Sequence, residues 1–355
     1  MSSTSGLSPF FFFLFFLFVL SFSPRSQSKP LSSPYLSPST FFPNYPQMLQ
    51  NLKIFIYPSS QIAPPTPSPL SLFHSSLLKS PFLTPHPHLA HLFYLPLPSN
   101  PSSRSIAQSI RDLRFSSPFW NRTLGADHFY LSCGGIGIES DRNLVELKKN
   151  SIQISCFPTI EGRFIPHKDI SLPLISDREL STESQPSKMG EFLGFFYGKE
   201  DREIAAVVDE LRDDPEFLIE SQPLDSGGLA ERLERSRFCL FFYGFGRDLH
   251  IGQALKFGCV PVVISDRPIL DLPFGDVLRW TEIAVFVGMR GGGKAVKHVL
   301  ERTCGETYET MKELGKMASV HFMWNSSDRY DAFHTLMYQL WMRRHTVRYA
   351  RRDWI

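Results

Sequence analysis

Apolar runs separated by polar and glycine-rich punctuation set the reading of this chain, and they are clearest between Ser236 and Trp280. Phe238 to Tyr243 is a continuous apolar run, the pattern of a strand covered on both faces. Gly244 and Gly246 then allow a tight turn and the close approach of a ligand to the backbone. His250 to Phe257 has the length of a short helix, and Gly258 is placed to end it in the left-handed conformation. Val260 to Ile264 predicts the next parallel strand. A strand, a glycine loop and a helix start can form an anion site, because free N–H groups point at the ligand. A plain βαβ unit with no ligand fits the same spacing, since two glycines are a weak signal.

The same alternation continues in both directions. Toward the N-terminus, Leu52 to Tyr57 reads as a strand closed by Pro58, Leu72 to Lys79 as a short helix, Ala90 to Leu97 as a strand and Ser105 to Phe115 as a helix. Asp127-His128-Phe129 enters another apolar strand, and Ser151 to Cys156 alternates as a strand. Ser176 to Met189 is polar, carries Pro186 and reads as a linker. Phe192 to Gly198, Ile204 to Arg212, Phe217 to Glu220 and Gly228 to Arg235 repeat strand and helix up to the central unit. Met311 to Phe322 and the segment from Asp331 onward predict closing helices. The fold class is therefore α/β, with two doubly wound, Rossmann-type domains over 48–185 and 186–330 and a C-terminal helix over 331–355 that packs back on the body. Ligands of such sheets bind outside the carboxyl ends of the strands.

Composition changes this picture at the N-terminus. The chain has 355 residues, 42% hydrophobic, with a net charge of +2, which carries no electrostatic footprint for nucleic acid. Phe10 to Phe22 is almost purely apolar, so 1–22 reads as a signal anchor, with a cleaved signal peptide as the alternative. Residues 23–47 are rich in Ser and Pro and read as an unfolded stem. Cys239 and Cys259 are expected as buried free thiols, whereas Cys133 and Cys156 can pair if the compartment is oxidising. Asn121 and Asn325 stand in glycosylation triplets. The basic end, Arg343 to Arg352, reads as a solvated face.

Several of these stretches resemble the exostosin-type glycosyltransferases of family 47. Ser236 to Leu240, Gly258 to Val262, Leu272-Pro-Phe-Gly-Asp-Val-Leu, Asp127-His128-Phe129, Phe164 to Pro173 and Asp331-Ala-Phe-His carry the likeness. The resemblance implies a GT-B-like pair of domains facing a cleft. It implies transfer of a sugar from a UDP-linked nucleotide-sugar to a cell-wall polysaccharide or glycoprotein glycan. It further implies a type II Golgi membrane protein, with secretion after signal cleavage as the alternative. Two stretches depart from the pattern. The family has His-Asp-Trp-Gly where this chain has Gly134-Gly-Ile-Gly. The family Glu and Arg of the central helix fall on Gln253 and His250.

The chemistry asks for a pocket that stabilises the leaving diphosphate and a base that takes the acceptor proton. The donor-binding candidates are Gly198, Arg202, Gly244, Gly246, His250 and Gln253. Arg202 offers a planar fork of donors to a diphosphate, or is a solvated helix residue between Asp201 and Glu203. Gln253 can accept from ribose hydroxyls without charge, and His250 is mostly neutral near pH 7. Asp127 and Asp169 are the candidate bases, followed by Asp248. Lys168 and Asp169 read either as a cleft-facing charge pair or as a solvated pair fixing a loop. The resemblance implies an inverting hexosyl or pentosyl transfer, and since no Asp-x-Asp triplet is present, no metal and no cofactor is expected. The alternative is a catalytically degenerate member that binds glycan or other transferases. A nicotinamide oxidoreductase is excluded, because the first strand lacks Gly-x-Gly-x-x-Gly.

Overall fold

The computed structural model describes residues 33–58, 68–97, 102–137, 139–174, 190–245, 250–324 and 330–349, the side chains of the last helix being described as far as Arg344. The expectations for 1–32, the linker 176–189, Gly246, Asp248 and Asn325 concern residues outside these ranges. Among the described residues no helix is long and apolar enough to cross a membrane.

Two five-stranded parallel sheets form the frame. The first runs β1 (Ile54–Ile56), β2 (Leu92–Tyr94), β3 (His128–Leu131), β4 (Ile152–Cys156) and β5 (Ile170–Leu172), side by side in chain order. Leu83 forms a parallel bridge to Ile54, beyond β1. The chain therefore steps outward once before it turns back toward β2. That reversal puts helix α2 (Pro69–Lys79) on one face, where Phe73 and Leu77 are fully buried, and α3 (Ser103–Ser116) and α5 (Arg142–Asn150) on the other. Side chains alternate accordingly: Tyr94 and Phe129 face α2, whereas Phe93 and Tyr130 face α3 and α5. The short helix α4 (Pro118–Thr123) completes that second face with Trp120, which is fully buried.

The second sheet contains β6 (Phe192–Tyr197), β7 (Phe217–Glu220), β8 (Ser236–Phe242), β9 (Val260–Ile264) and β10 (Val285–Val287) in the order β10-β9-β8-β6-β7. Strand order reverses at β6, so α6 (Arg202–Arg212) and α7 (Ser226–Arg235) lie on opposite faces. α8 (Ile251–Phe257) joins β8 to β9 on the α7 face and ends at Gly258, whose φ of 76° is the left-handed conformation expected of a C-terminal glycine. α9 (Gly292–Thr303) covers the α6 face, and α10 (Glu306–Ser319) packs on α8. Gly252 lets the turn that follows α10 approach α8 as well, since a Cβ there would stand 2.5 Å from Cβ of Phe322.

The stem expectation is corrected over its second half. Pro38–Asn51 is a helix, α1, whose prolines include one at its start, where a missing N–H costs nothing. Phe41, Tyr45 and Met48 are buried, each a side chain worth roughly 1.5–3 kcal/mol of apolar burial. They pack against the C-terminal helix α11 (Ala332–Tyr349), and Tyr35 pairs with Leu278 of the loop before β10. Proline-rich composition is outweighed here by three aromatic residues, Tyr35, Phe41 and Tyr45, that find a common core. The basic C-terminal end is also corrected at its first residue. Arg343 is 8% exposed and donates to the carbonyls of Lys168 and Asp169 and to the carboxylate of Asp276.

Candidate functional site

All strands of a parallel sheet end on one edge, so the carboxyl ends of the two sheets define where a ligand can sit. A cleft lies at that place. It is lined by Phe157 after β4, Pro173 after β5, Tyr243 and Gly244 after β8, and Ile251 and Gly252 at the start of α8. Gly244 has a φ of 91°, and a Cβ there would meet nothing within 4 Å, so the turn presents bare backbone to open space. Among the described residues the lining contains no carboxylate and no imidazole.

The two lips of the cleft are tied together by one carboxylate. Asp271, buried in the loop between β9 and β10, accepts the Thr159 N–H at 2.6 Å and the Tyr243 hydroxyl at 2.7 Å. Burial first, and then the bond to Asp271 and its charge, hold the Tyr243 hydroxyl well above the ordinary phenol range. It is a fixed donor and not an acid or base near neutrality. Farther out, Glu161 after β4 and Arg267 after β9 form an exposed ion pair across the mouth. Sequence reasoning missed this set. Tyr243 reads as the end of an apolar strand, and Asp271 immediately precedes a matched motif without being part of it.

The remaining candidates fall in three places. Gly198 follows β6, its N–H donating to the Glu220 carbonyl at 3.1 Å, and Arg202 is the exposed first residue of α6. Both lie on the same edge as Gly244, beside the strand-order reversal, but neither lines the cleft. His250 precedes α8, and Gln253 is 7% exposed within it. That helix has only seven residues, and the N–H groups of Gln253 and Ala254 are already directed at the His250 carbonyl. This leaves little of the helix-terminus anion site expected from the sequence.

The two candidate bases lie on the opposite edge of the first sheet. Asp127 precedes β3 and is 1% exposed. It accepts from Arg122 at 2.7 Å and Thr123 at 2.6 Å, and it pairs with His128 Nδ1 at 2.8 Å. Burial pushes this carboxyl up, but the bonds from His128, Thr123 and Arg122 outweigh it and hold it at about 2. His128 is itself fully buried, its other nitrogen 2.9 Å from the Tyr57 hydroxyl and its ring stacked on Phe93. Asp169 precedes β5, fully buried between the ammonium groups of Lys148 and Lys168. The Lys168–Asp169 pair is thus neither cleft-facing nor solvated, and both aspartates are corrected to fastenings at the amino ends of strands. Burial lowers Lys168 to about 8, against the upward pull of Asp169.

Cys133 and Cys156 are joined in a disulfide next to the Gly134-Gly135 turn. Cys239 and Cys259 are joined as well, which corrects the expectation of free buried thiols. Adjacent parallel strands β8 and β9 bring them together, and Cys239 lies opposite Pro261, two residues from its partner. Asn121 is exposed on α4, its amide donating to the Arg114 carbonyl at 3.0 Å. Among the described residues no group of His, Cys, Asp and Glu is placed to hold a metal ion.

The family model for the exostosin GT47 domain matches residues 49–302, from the end of α1 through both sheets to the end of α9. The chain belongs to the exostosin GT47 family. Its curated relatives include a probable glycosyltransferase of Arabidopsis thaliana, 28% identical, with 90% of this chain and 67% of the relative covered. A probable beta-1,4-xylosyltransferase of the same plant is 28% identical over 60% of each chain. Among solved structures, an O-GlcNAc transferase of Thermobaculum terrenum is similar at 11% identity and a TM-score of 0.38, with 84% of this chain and 69% of that one covered. This GT47 protein is α/β, built on two five-stranded parallel sheets.

Proposed function

We propose that this GT47 protein moves a sugar from a UDP-linked donor to a hydroxyl of a cell-wall polysaccharide or glycoprotein glycan in the Golgi, with inversion and without a metal. The carrying observation is the cleft at the carboxyl ends of β4, β5 and β8, walled on one side by the open Gly244 turn. In the reaction the acceptor oxygen bonds to the anomeric carbon as the bond to the UDP oxygen breaks. The acceptor proton passes to a base, and the diphosphate leaves with the electron pair. The Gly244 N–H is suited to meet the charge that builds on that leaving group, the N–H groups of Tyr243 and Phe245 being held by the carbonyls of Ile264 and Phe242. Gln253 and His250, next in the chain, are the groups proposed for the ribose and phosphate.

A second reading is favoured by one observation, the absence of a carboxylate or imidazole from the described cleft lining. On that reading the protein binds donor or glycan for an active partner transferase. Thermal-shift titration of the full-length protein with UDP and UDP-sugars, followed by a turnover assay on cell-wall oligosaccharides, separates the two. Stabilisation by UDP with turnover supports the transferase, and stabilisation without turnover supports the binding protein. Gly244→Val, which fills the open side of the turn with a β-branched residue at positive φ, is expected to abolish the UDP shift. A UDP shift retained in this variant overturns the placement of the donor.

A further inference from the structure

A second cavity, a groove, lies between the edge strand β5 and the segment linking β9 to β10. Ser171 of β5 and Gln339 of α11 form its floor, at 3% and 2% exposure. Among the described residues, neither Ser171 Oγ nor Gln339 Oε1 meets a hydrogen-bond partner within the protein. A buried oxygen left in that state costs about 1–3 kcal/mol, so two of them in one floor call for an explanation. The rim is apolar. Phe286, the outward middle residue of edge strand β10, is 40% exposed, and Leu270 is 59% exposed.

The charged side chains lining this groove balance, with the carboxylates of Asp169 and Asp276 set against the guanidinium groups of Arg279 and Arg343. The Asp276 carboxylate already holds Gln339 Nε2 at 2.8 Å and Arg343 Nη2 at 2.6 Å. Arg279 donates to the Leu36 carbonyl at 3.2 Å. An anionic ligand such as a nucleotide would need a surplus of positive charge, which is not there. An apolar helix would leave the polar floor unmatched. A pyranose chain presents the complementary pattern, with C–H faces that lie on apolar side chains and neutral hydroxyls at the edges. The groove also adjoins the cleft. Ser171 and Leu272 line the groove, while Pro173 and Pro273 line the cleft, so the same two chain segments wall both.

The geometry points to a glycan subsite: an uncharged oligosaccharide lies in this groove, with sugar faces on Phe286 and Leu270 and hydroxyls directed to Gln339 and Ser171. The inference rests on the transferase reading for the kind of ligand, and it requires no donor in the cleft.

The test uses full-length protein without nucleotide, titrated calorimetrically with β-1,4-xylohexaose as the neutral probe and a hexagalacturonate as the charged one. Xylohexaose is expected to bind and hexagalacturonate to bind at least tenfold more weakly. The double variant Phe286→Ser/Leu270→Ser is expected to weaken xylohexaose binding tenfold or more. Leu270→Lys, which changes only an exposed rim position, provides the same test with less risk to folding and is expected to weaken binding severalfold. Gly244→Val should leave xylohexaose binding unchanged. Binding of xylohexaose in the absence of any UDP shift would support the groove while removing the donor reading. Failure of xylohexaose to bind, equal affinity for both probes, or rim variants that bind like the parent would overturn the subsite.

Discussion

The Tyr243 hydroxyl donates to Asp271 at 2.7 Å, and the second oxygen of that carboxylate accepts the Thr159 N–H at 2.6 Å. One buried side chain thus joins the turn after β8 to the loop after β4, the two lips of the cleft. Tyr243→Phe removes one donor and leaves the Thr159 bond in place, so a loss of about 1–2 kcal/mol is expected. Asp271→Ala strands a buried hydroxyl and an amide at once, and its loss should be clearly larger, at about 3 kcal/mol or more. Urea denaturation of the two variants checks the order. Equal losses would mean that the carboxylate does not hold both lips.

Asp127 is read as a fastening and not a base, because it lies at the amino end of β3, enclosed by Arg122, Thr123 and His128. Asp127→Asn keeps the shape but cannot accept from all three donors. A stability loss of about 1–3 kcal/mol is expected, with the UDP thermal shift measured relative to the new melting point unchanged. A variant as stable as the parent but without turnover would restore Asp127 to the reaction.

His321 gives the fold a pH dependence whose sign follows from its surroundings. It is fully buried, with Nδ1 2.7 Å from the Thr335 hydroxyl and Nε2 3.2 Å from the Tyr35 hydroxyl. Burial lowers it to about 4, against the smaller upward pulls of the Tyr330 backbone and Asp331. The unfolded chain therefore binds this proton first. The stability contributed by the neutral ring is complete above about pH 6.5 and is lost as pH falls from there toward 4, on the order of 3 kcal/mol in all. His321→Gln should lose less stability than the parent between pH 7 and pH 4.5. His128, also lowered by burial, keeps its own share of the slope in both proteins. Parallel pH profiles of the two would sink this assignment.

The frame was legible in the sequence because continuous apolar runs admit few alternatives. Phe217–Glu220 and Val260–Ile264 are strands at the expected bounds, and Gly258 ends its helix as glycine should. The helix Pro38–Asn51 is hidden, because its proline content signals an unfolded stem while its partners lie on α11 at the other end of the chain, as the edge-to-face contact of Phe41 with Tyr338 illustrates. The site was legible only in outline. Gly244 is in the cleft, but a short aspartate motif at a strand entry carries no sign of which edge of the sheet it occupies. For that reason Asp127 and Asp169 read from the sequence as candidate bases. Asp271 left no periodic trace at all, since its role depends on two loops that only the folded chain brings together.

The Cys239–Cys259 disulfide closes a loop with a sequence separation of 20, and that loop holds the second half of β8, the Gly244 turn and α8. Restricting the unfolded chain over such a loop is worth about 3 kcal/mol in the chain-entropy account. Replacing both cysteines by alanine is expected to lower stability by about 2–4 kcal/mol, and because the enclosed turn walls the cleft, UDP should stabilise the variant less than the parent. The control is Cys304→Ser. Cys304 is a partly exposed free thiol with its sulfur 3.8 Å from Arg237, outside both disulfides, so this change should leave stability within about 0.5 kcal/mol. Denaturation with and without a reductant completes the comparison. The reductant should bring the parent toward the Cys239→Ala/Cys259→Ala variant and shift that variant only by the share belonging to Cys133–Cys156. A parent indifferent to reduction would show that β8 and β9 are held by packing alone.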